Sequence, residues 1–260
     1  MPRNFSIPDD HKDCLGATQL EDFIMPIPWL NLDDFEFPSI DQALSEPDGL
    51  LAAGGDLKVQ RLLQAYQNGI FPWYEDGQPI LWWSPNPRMV LRPEDLKISK
   101  SLHKLLRRNH YTLSMDQDFA AVIQGCAEAR RDTTGTWITD EMQAAYCALH
   151  AAGFAHSVEV WSQQELVGGL YGVALGEVFF GESMFSREAN TSKLALVSLV
   201  KQLQQWKYKL IDCQVSSEHL LSLGAKEISR EQFRKKLLKL RTEPGKIGPW
   251  QLELARQTKD

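Results

Sequence analysis

The chain has 260 residues, 43% of them hydrophobic and 24% charged, with a formal net charge of −6. That length holds one large domain or two smaller ones with ample core, and no apolar run approaches the ~18 residues that a membrane span needs. The opening MPRNFSIPDDHKD lacks an apolar signal core, Cys14, Cys126, Cys147 and Cys213 form no CxxC pair, and the histidines form no HExxH, so the expectation is a cytoplasmic protein with reduced thiols and no metal.

The charge is uneven along the chain. Residues 1–50 carry eleven acids against two bases, which leaves the rest with a balance of +3 and room for a local basic surface. Residues 1–36 are acidic and interrupted by Pro26 and Pro28, the composition of an extension. Asp48-Gly49 and Gly54-Gly55 mark turns; the double glycine belongs to neither GxGxxG nor GxxxxGK[ST]. Asp56 reads as the N-cap of a helix carrying Val59, Leu62, Leu63 and Tyr66, closed by Gly69. In GIFPWYEDGQPILWWSPNPR (69–88), Trp73, Trp82 and Trp83 stand among four prolines, where no helix runs. Such aromatics either stack on bases or pack one domain on another, and the residues alone leave both open.

LKISKSLHKLLRRNHY (96–111) has five Lys/Arg and no acid. Ser99 caps a helix whose Leu102, Leu105 and Leu106 face inward, leaving Lys100, Lys104, Arg107 and Arg108 outward, with Lys97 just before them. The missing acids favour a phosphate-facing patch over a merely solvated face. Two further helices are predicted over 118–130 and 139–152, with Trp137 on the loop between them.

From His156 the β-type residues come in short runs broken by glycine, and Leu196, Leu199, Val200 and Leu203 then recur with helical spacing. Glu182 follows Val178-Phe179-Phe180-Gly181, and Asp212 and Gln214 sit inside Leu210-Ile211-Asp212-Cys213-Gln214. A carboxylate in such a run is costly unless it is paired, hydrogen-bonded or opens onto a site. A short helix (217–221), an edge strand in SLGAKEI and a basic helix over 230–241 finish the chain. The order β-β-β-α-β-α-β fits a mixed sheet with helices on it. The expected architecture is thus α+β, with a small domain over 37–95 and a larger one over 96–260.

GLLAAGGDL, GIFPWY, ILWWSPNPR, GTWIT, AHSVEVW, LVGGLYGV, FFGESMFS and LIDCQ, in this order, resemble the leucyl/phenylalanyl-tRNA–protein transferases over about residues 37 to 235. One small departure is Asn190-Thr191-Ser192-Lys193, where the family usually shows Asn-Ala-Ser-Lys. The resemblance implies a small N-terminal domain and a GNAT (acetyltransferase-like) domain. It implies transfer of Leu or Phe, and less well Met, from aminoacyl-tRNA to the N-terminal Arg or Lys of proteins, marking them for N-end rule degradation. No metal, coenzyme or ATP is implied, and a monomer is expected.

Carried over by residue, Glu182, Asp212 and Gln214 match catalytic or orienting groups, and Phe179, Met184, Ser186, Leu170 and Ile211 match the pocket for the transferred side chain. Trp73 and Trp137 match tryptophans near the 3′-terminal adenosine. The bases Lys97, Lys100, Lys104, Arg107 and Arg108 are expected to meet the tRNA backbone. Asp212 either orients Gln214 and the attacking amine or takes its proton. Strict alternation puts Phe179 and Glu182 on opposite faces, so a bulge at Gly181 is expected to bring both to the pocket. An acetyl-CoA enzyme on this fold needs a glycine-rich turn before its long helix; SREANTSK stands there instead, with no glycine.

Overall fold

The computed structural model describes residues 27–107, 110–131 and 137–253. A small four-stranded sheet comes first, made of β1 (Trp29–Leu30), β2 (Leu50–Gly54), β3 (Phe71–Pro72) and β4 (Leu81–Trp83), with helix α1 (Val59–Gln67) between β2 and β3. The chain then enters β5 (Arg88–Leu91), α2 (Lys100–Arg107), β6 (Thr112–Met115), α3 (Phe119–Arg131) and α4 (Asp140–Ala151). The expected β-β-β-α-β-α-β order follows: β7 (Ala155–Ser162), β8 (Glu165–Leu175), β9 (Val178–Ser186), α5 (Thr191–Gln205), β10 (Leu210–Gln214), α6 (Glu218–Ser222) and β11 (Lys226–Ile228), closed by α7 (Arg230–Leu240).

The larger sheet is mixed, with strand order β11-β5-β10-β9-β8-β7-β6; only β9 and β10 run parallel and every other neighbouring pair is antiparallel. β5 therefore belongs to this sheet, between β11 and β10, although residues 88–91 fall within the 37–95 span expected for the small domain. Likewise β1, inside the expected 1–36 extension, pairs with β2 of the small sheet. Residues 1–26 of that extension lie outside the described residues.

The two faces of the larger sheet carry different cores. Phe180, Tyr171 and Leu210 join α1, α3, α4 and the small sheet in one apolar cluster. Phe179, Leu170 and Ile211 join α2 and α5 in the other. The helical spacing read in α5 is real packing: Leu196, Leu199, Val200 and Leu203 are all buried. Trp82 is fully buried, its indole N–H donating to Gly54 O, so of the three clustered tryptophans this one is core. The helix start expected at Asp56 falls two residues later. Lys58 is the N-cap, and Asp56 instead accepts the Lys58 N–H and the Arg61 Nε–H.

Candidate active site

β9 and β10 pair only from Val178–Leu210 to Phe180–Asp212. Beyond that point the two strands part, and a cavity of about 370 Å3 opens whose lining includes Gly181 and Glu182 from one strand and Cys213 and Gln214 from the other. Opposite β9, β8 shows a register shift: Gly172 pairs with Gly181 and Tyr171 with Ser183, leaving Glu182 as the extra residue of a bulge. The bulge reverses the parity of the strand. Phe180 before it and Phe185 after it lie in the same core, as do Phe179 and Met184 on the other face. Phe179 and Met184, five residues apart, would face opposite sides of a regular strand. Here they share one apolar wall with Leu170 and Ile211, to which α5 adds Leu196 and Leu199.

The polar end of the cavity is a closed hydrogen-bond set. Glu182, 7% exposed, accepts from Tyr66 Oη at 2.8 Å, Tyr146 Oη at 3.0 Å and Gln214 Nε2 at 2.8 Å, and the two phenols also touch each other. Burial pushes the Glu182 carboxyl up to about 7; the Tyr66 and Tyr146 hydroxyls oppose the rise, and the charge of Asp212 adds to it. Burial, reinforced by the Glu182 charge, holds both phenols well above their usual range, so they remain donors. Because the Gln214 amide gives its N–H to Glu182, its Oε1 is left for another donor.

Asp212 lies behind this set and does not line the cavity. It is fully buried, accepts from Arg88 Nε at 2.8 Å and Nη2 at 2.6 Å, and takes the Gln214 backbone N–H at 3.0 Å. Arg88 is itself buried, its guanidinium 4.9 Å from the Phe71 ring centroid and 4.6 Å from that of Phe233. A carboxylate occupied on both oxygens by a bidentate guanidinium orients its neighbours. The neighbour here is Gln214, held with a positive φ of 61° that a side chain of its kind rarely adopts.

Trp73 and Trp137 both line the cavity. Trp73 is 39% exposed, and its carbonyl accepts the Trp83 indole N–H at 2.6 Å. Arg130, from the end of α3, donates to Ser183 Oγ at 3.0 Å with its guanidinium 5.6 Å from the Trp137 ring centroid. Ser186 departs from the expected pocket role. It is exposed at the end of β9, outside the lining, and its hydroxyl is engaged with the Ser192 hydroxyl and backbone N–H at the start of α5. Lys97, Lys100, Lys104 and Arg107 are exposed, none of them at the cavity, while Leu102 of α2 is buried. Arg108 lies outside the described residues.

The family model for leucyl/phenylalanyl-tRNA protein transferase matches residues 90–238, and that for the N-terminal domain of the same family matches residues 55–86. The chain belongs to the leucyl/phenylalanyl-tRNA–protein transferase family. A leucyl/phenylalanyl-tRNA–protein transferase of Pseudomonas fluorescens (strain SBW25) is 58% identical over 222 residues, 85% of this chain and 98% of the relative. One of Nitrosospira multiformis is 59% identical over 214 residues, 82% and 92% of the two chains. Among solved structures, a GCN5-related N-acetyltransferase from Kribbella flavida covers 64% of this chain and 60% of its own at TM-score 0.34 and 12% identity, a likeness too slight to decide anything.

As a leucyl/phenylalanyl-tRNA–protein transferase the protein is an aminoacyltransferase, and its site holds residues that the sequence did not single out. Tyr66, Tyr146, Arg88 and Arg130 each come from an element distant in the chain from Glu182. Only Arg88 carried a signal of its own: a lone base leading the apolar run Met89-Val90-Leu91 implies a buried partner, as Asp212 did. The transferase's Thr191, at the one noted departure from the family pattern, donates to Val167 O and Glu188 O, which seats the start of α5 on β8. Among the described residues no group of three or more His, Cys, Asp or Glu is placed to hold a metal ion, and no helix is long and apolar enough to cross a membrane.

Proposed function

We propose that the protein moves Leu or Phe, and Met less well, from aminoacyl-tRNA to the N-terminal Arg or Lys of acceptor proteins. The observation that carries this is an apolar slot ending on Glu182 and Gln214, in a chain of this family. Leu170, Phe179, Met184 and Ile211 receive the transferred side chain, and Trp73 and Trp137 take the terminal adenosine at the same cavity. Stacking of a base on such a ring is worth about 1–3 kcal/mol.

The reaction is aminolysis of an ester. The acceptor's α-amine forms a bond to the aminoacyl carbonyl carbon, the bond to the ribose 3′-oxygen breaks, and the proton released by the amine ends on that oxygen. The amine has a free pKa of about 7.7–8.0, so an appreciable fraction is neutral near pH 7.5. The chain's task is therefore mainly orientation. Gln214 Oε1 accepts the attacking N–H, Glu182 fixes the amide that presents it, and Asp212, locked by Arg88, holds the Gln214 backbone. The ester is already activated, so the reaction draws on no metal, coenzyme or ATP. We place the enzyme in the cytoplasm as a monomer whose products enter N-end rule degradation.

The deciding experiment offers labelled Leu-tRNA, Phe-tRNA and Met-tRNA with an Arg-initiated peptide, and acetyl-CoA as a control donor. Label is expected on the peptide from all three tRNAs and none from acetyl-CoA. One methylene in an apolar slot is worth about 1–3 kcal/mol, so the three donors should compete rather than exclude one another. Val-tRNA or Ile-tRNA transferring equally well would show that the slot does not read branching at Cβ.

The bases of α2 make a separate prediction. They are exposed and face no ion-pair partner among the described residues, so we assign them to tRNA phosphates. Reversing the charge of Lys104 and Arg107 should weaken tRNA binding and flatten its salt dependence, by about 1 in slope for each phosphate left without its cation. A minimal aminoacyl-adenosine donor should be affected far less. Unchanged affinity and slope in a salt titration would reduce the patch to a solvated helix face.

A further inference from the structure

We propose that Trp250, in the carboxy-terminal segment, is a positioning residue that sets the depth of the side-chain slot by holding Phe179 from behind. This rests on the assignment of Phe179 to that slot. Phe179 lines the cavity and Trp250 does not, yet their ring centroids are 6.0 Å apart at 37°. The Phe179 ring also lies against Gly172 of β8, where a Cβ would come within 2.5 Å of it. Backbone on one side and an indole on another leave the ring little freedom.

Trp250 is itself held from several directions and is 1% exposed. Its ring stacks on His156 at 3.7 Å and 5°, and Trp206 meets it edge-on at 4.9 Å. Its backbone N–H donates to Asp116 Oδ2 at 2.6 Å, the same oxygen that lies 2.8 Å from His156 Nδ1, and its indole N–H donates to Lys246 O at 2.9 Å. On either side of it the segment is tied down again. The Gly248 N–H donates to Gly153 O at 3.1 Å, and the Glu253 N–H to Gln202 Oε1 at 2.7 Å. The segment is thus a strap across the end of the sheet and α5, with one large ring pressed towards the cavity wall.

Close-packed interiors transmit volume changes instead of absorbing them. Trimming Trp250 opens space behind Phe179, lets that ring retreat and deepens the slot. In Trp250→Phe, the ratio of kcat/KM for Phe-tRNA to that for Leu-tRNA should rise by about tenfold, the scale set by one methylene in such a slot. The change should appear chiefly in KM for the donor, with affinity for uncharged tRNA unaltered. Trp250→Tyr, whose hydroxyl fills slightly more of the vacated volume, should move the same ratio in the same direction by less and serves if the first variant folds poorly. A loss of general fold integrity would slow all donors alike. Folded variants with an unchanged donor ratio, whatever their melting temperature, would overturn the proposal. If the wild-type protein transferred neither Leu nor Phe, the failure would lie with the function itself and not with the strap.

Discussion

Replacing Arg88 by Met should cost about 3–5 kcal/mol of stability and nearly all transferase activity, because it leaves the Asp212 carboxylate buried without its partner. Both side chains are at most 1% exposed, and the pair meets through two hydrogen bonds of 2.8 and 2.6 Å. No solvent reaches the site to replace the guanidinium. A double variant, Arg88→Met with Asp212→Leu, should recover most of the stability, since an apolar pair often substitutes for a buried ion pair at little net cost. It should not recover activity, because the Gln214 backbone N–H then has no acceptor and the residue no longer has a reason to hold its positive φ. Urea unfolding and single-turnover transfer assays measure the two quantities separately. A single Arg88→Met variant as stable as wild type would mean that the pair does not carry the buried charge assigned to it. The same geometry changes what Asp212→Asn means. A carboxamide there turns an N–H towards Arg88 and strands a buried cation, so Asn should behave much like Ala whether or not Asp212 ever takes a proton.

Glu182→Gln should slow transfer by a factor of about 100, the scale on which a misplaced orienting group costs rate, because Glu182 no longer fixes the Gln214 amide as a carboxylate does. It should also alter two pH profiles. In the wild type, the rate should climb as Glu182 ionises through about pH 7, and climb further as the acceptor amine loses its proton towards pH 8. The Gln variant keeps only the second rise. For stability, the carboxyl goes from an ordinary 4.5 to about 7 on folding. Between those values the folded protein holds a proton that the unfolded chain has released, so stability falls as pH rises through that window. The total is on the order of 3 kcal/mol, taking 1.36 kcal/mol per pKa unit. Glu182→Gln abolishes that slope; an unaltered pH dependence of urea midpoints between pH 4.5 and 7 would show that Glu182 is not the group titrating there.

The pattern of elements was legible because each one carries its own period. The glycine-broken β runs from His156, the i, i+3, i+4, i+7 leucines and valine of α5, and the basic helix that forms α7 all appear where local residues place them. The polar intruders Glu182, Asp212 and Gln214 were visible for a related reason, since a polar group inside an apolar run needs a partner. What those partners are was not legible. Tyr66 and Tyr146 look like ordinary core aromatics of two separate helices, and their hydroxyls meet Glu182 only because α1 and α4 pack on the same face of the sheet.

By itself, then, the sequence determined the order of strands and helices from His156 onwards, which polar groups could not be idle, and, through its motifs, the family. Three things were decided only in the folded chain. The bulge at Glu182, expected beside Gly181, fixed which side chains share a wall, and pairing with β8 is what locates it. Asp212 found its partner only there, because β5 brings Arg88 against it from 124 residues away. Ser186 left the pocket because the first turn of α5 engages its hydroxyl at the exposed end of β9. Each of these joins segments far apart in the chain or on different elements. Local propensity and spacing encode what a residue prefers, but not what comes to lie against it.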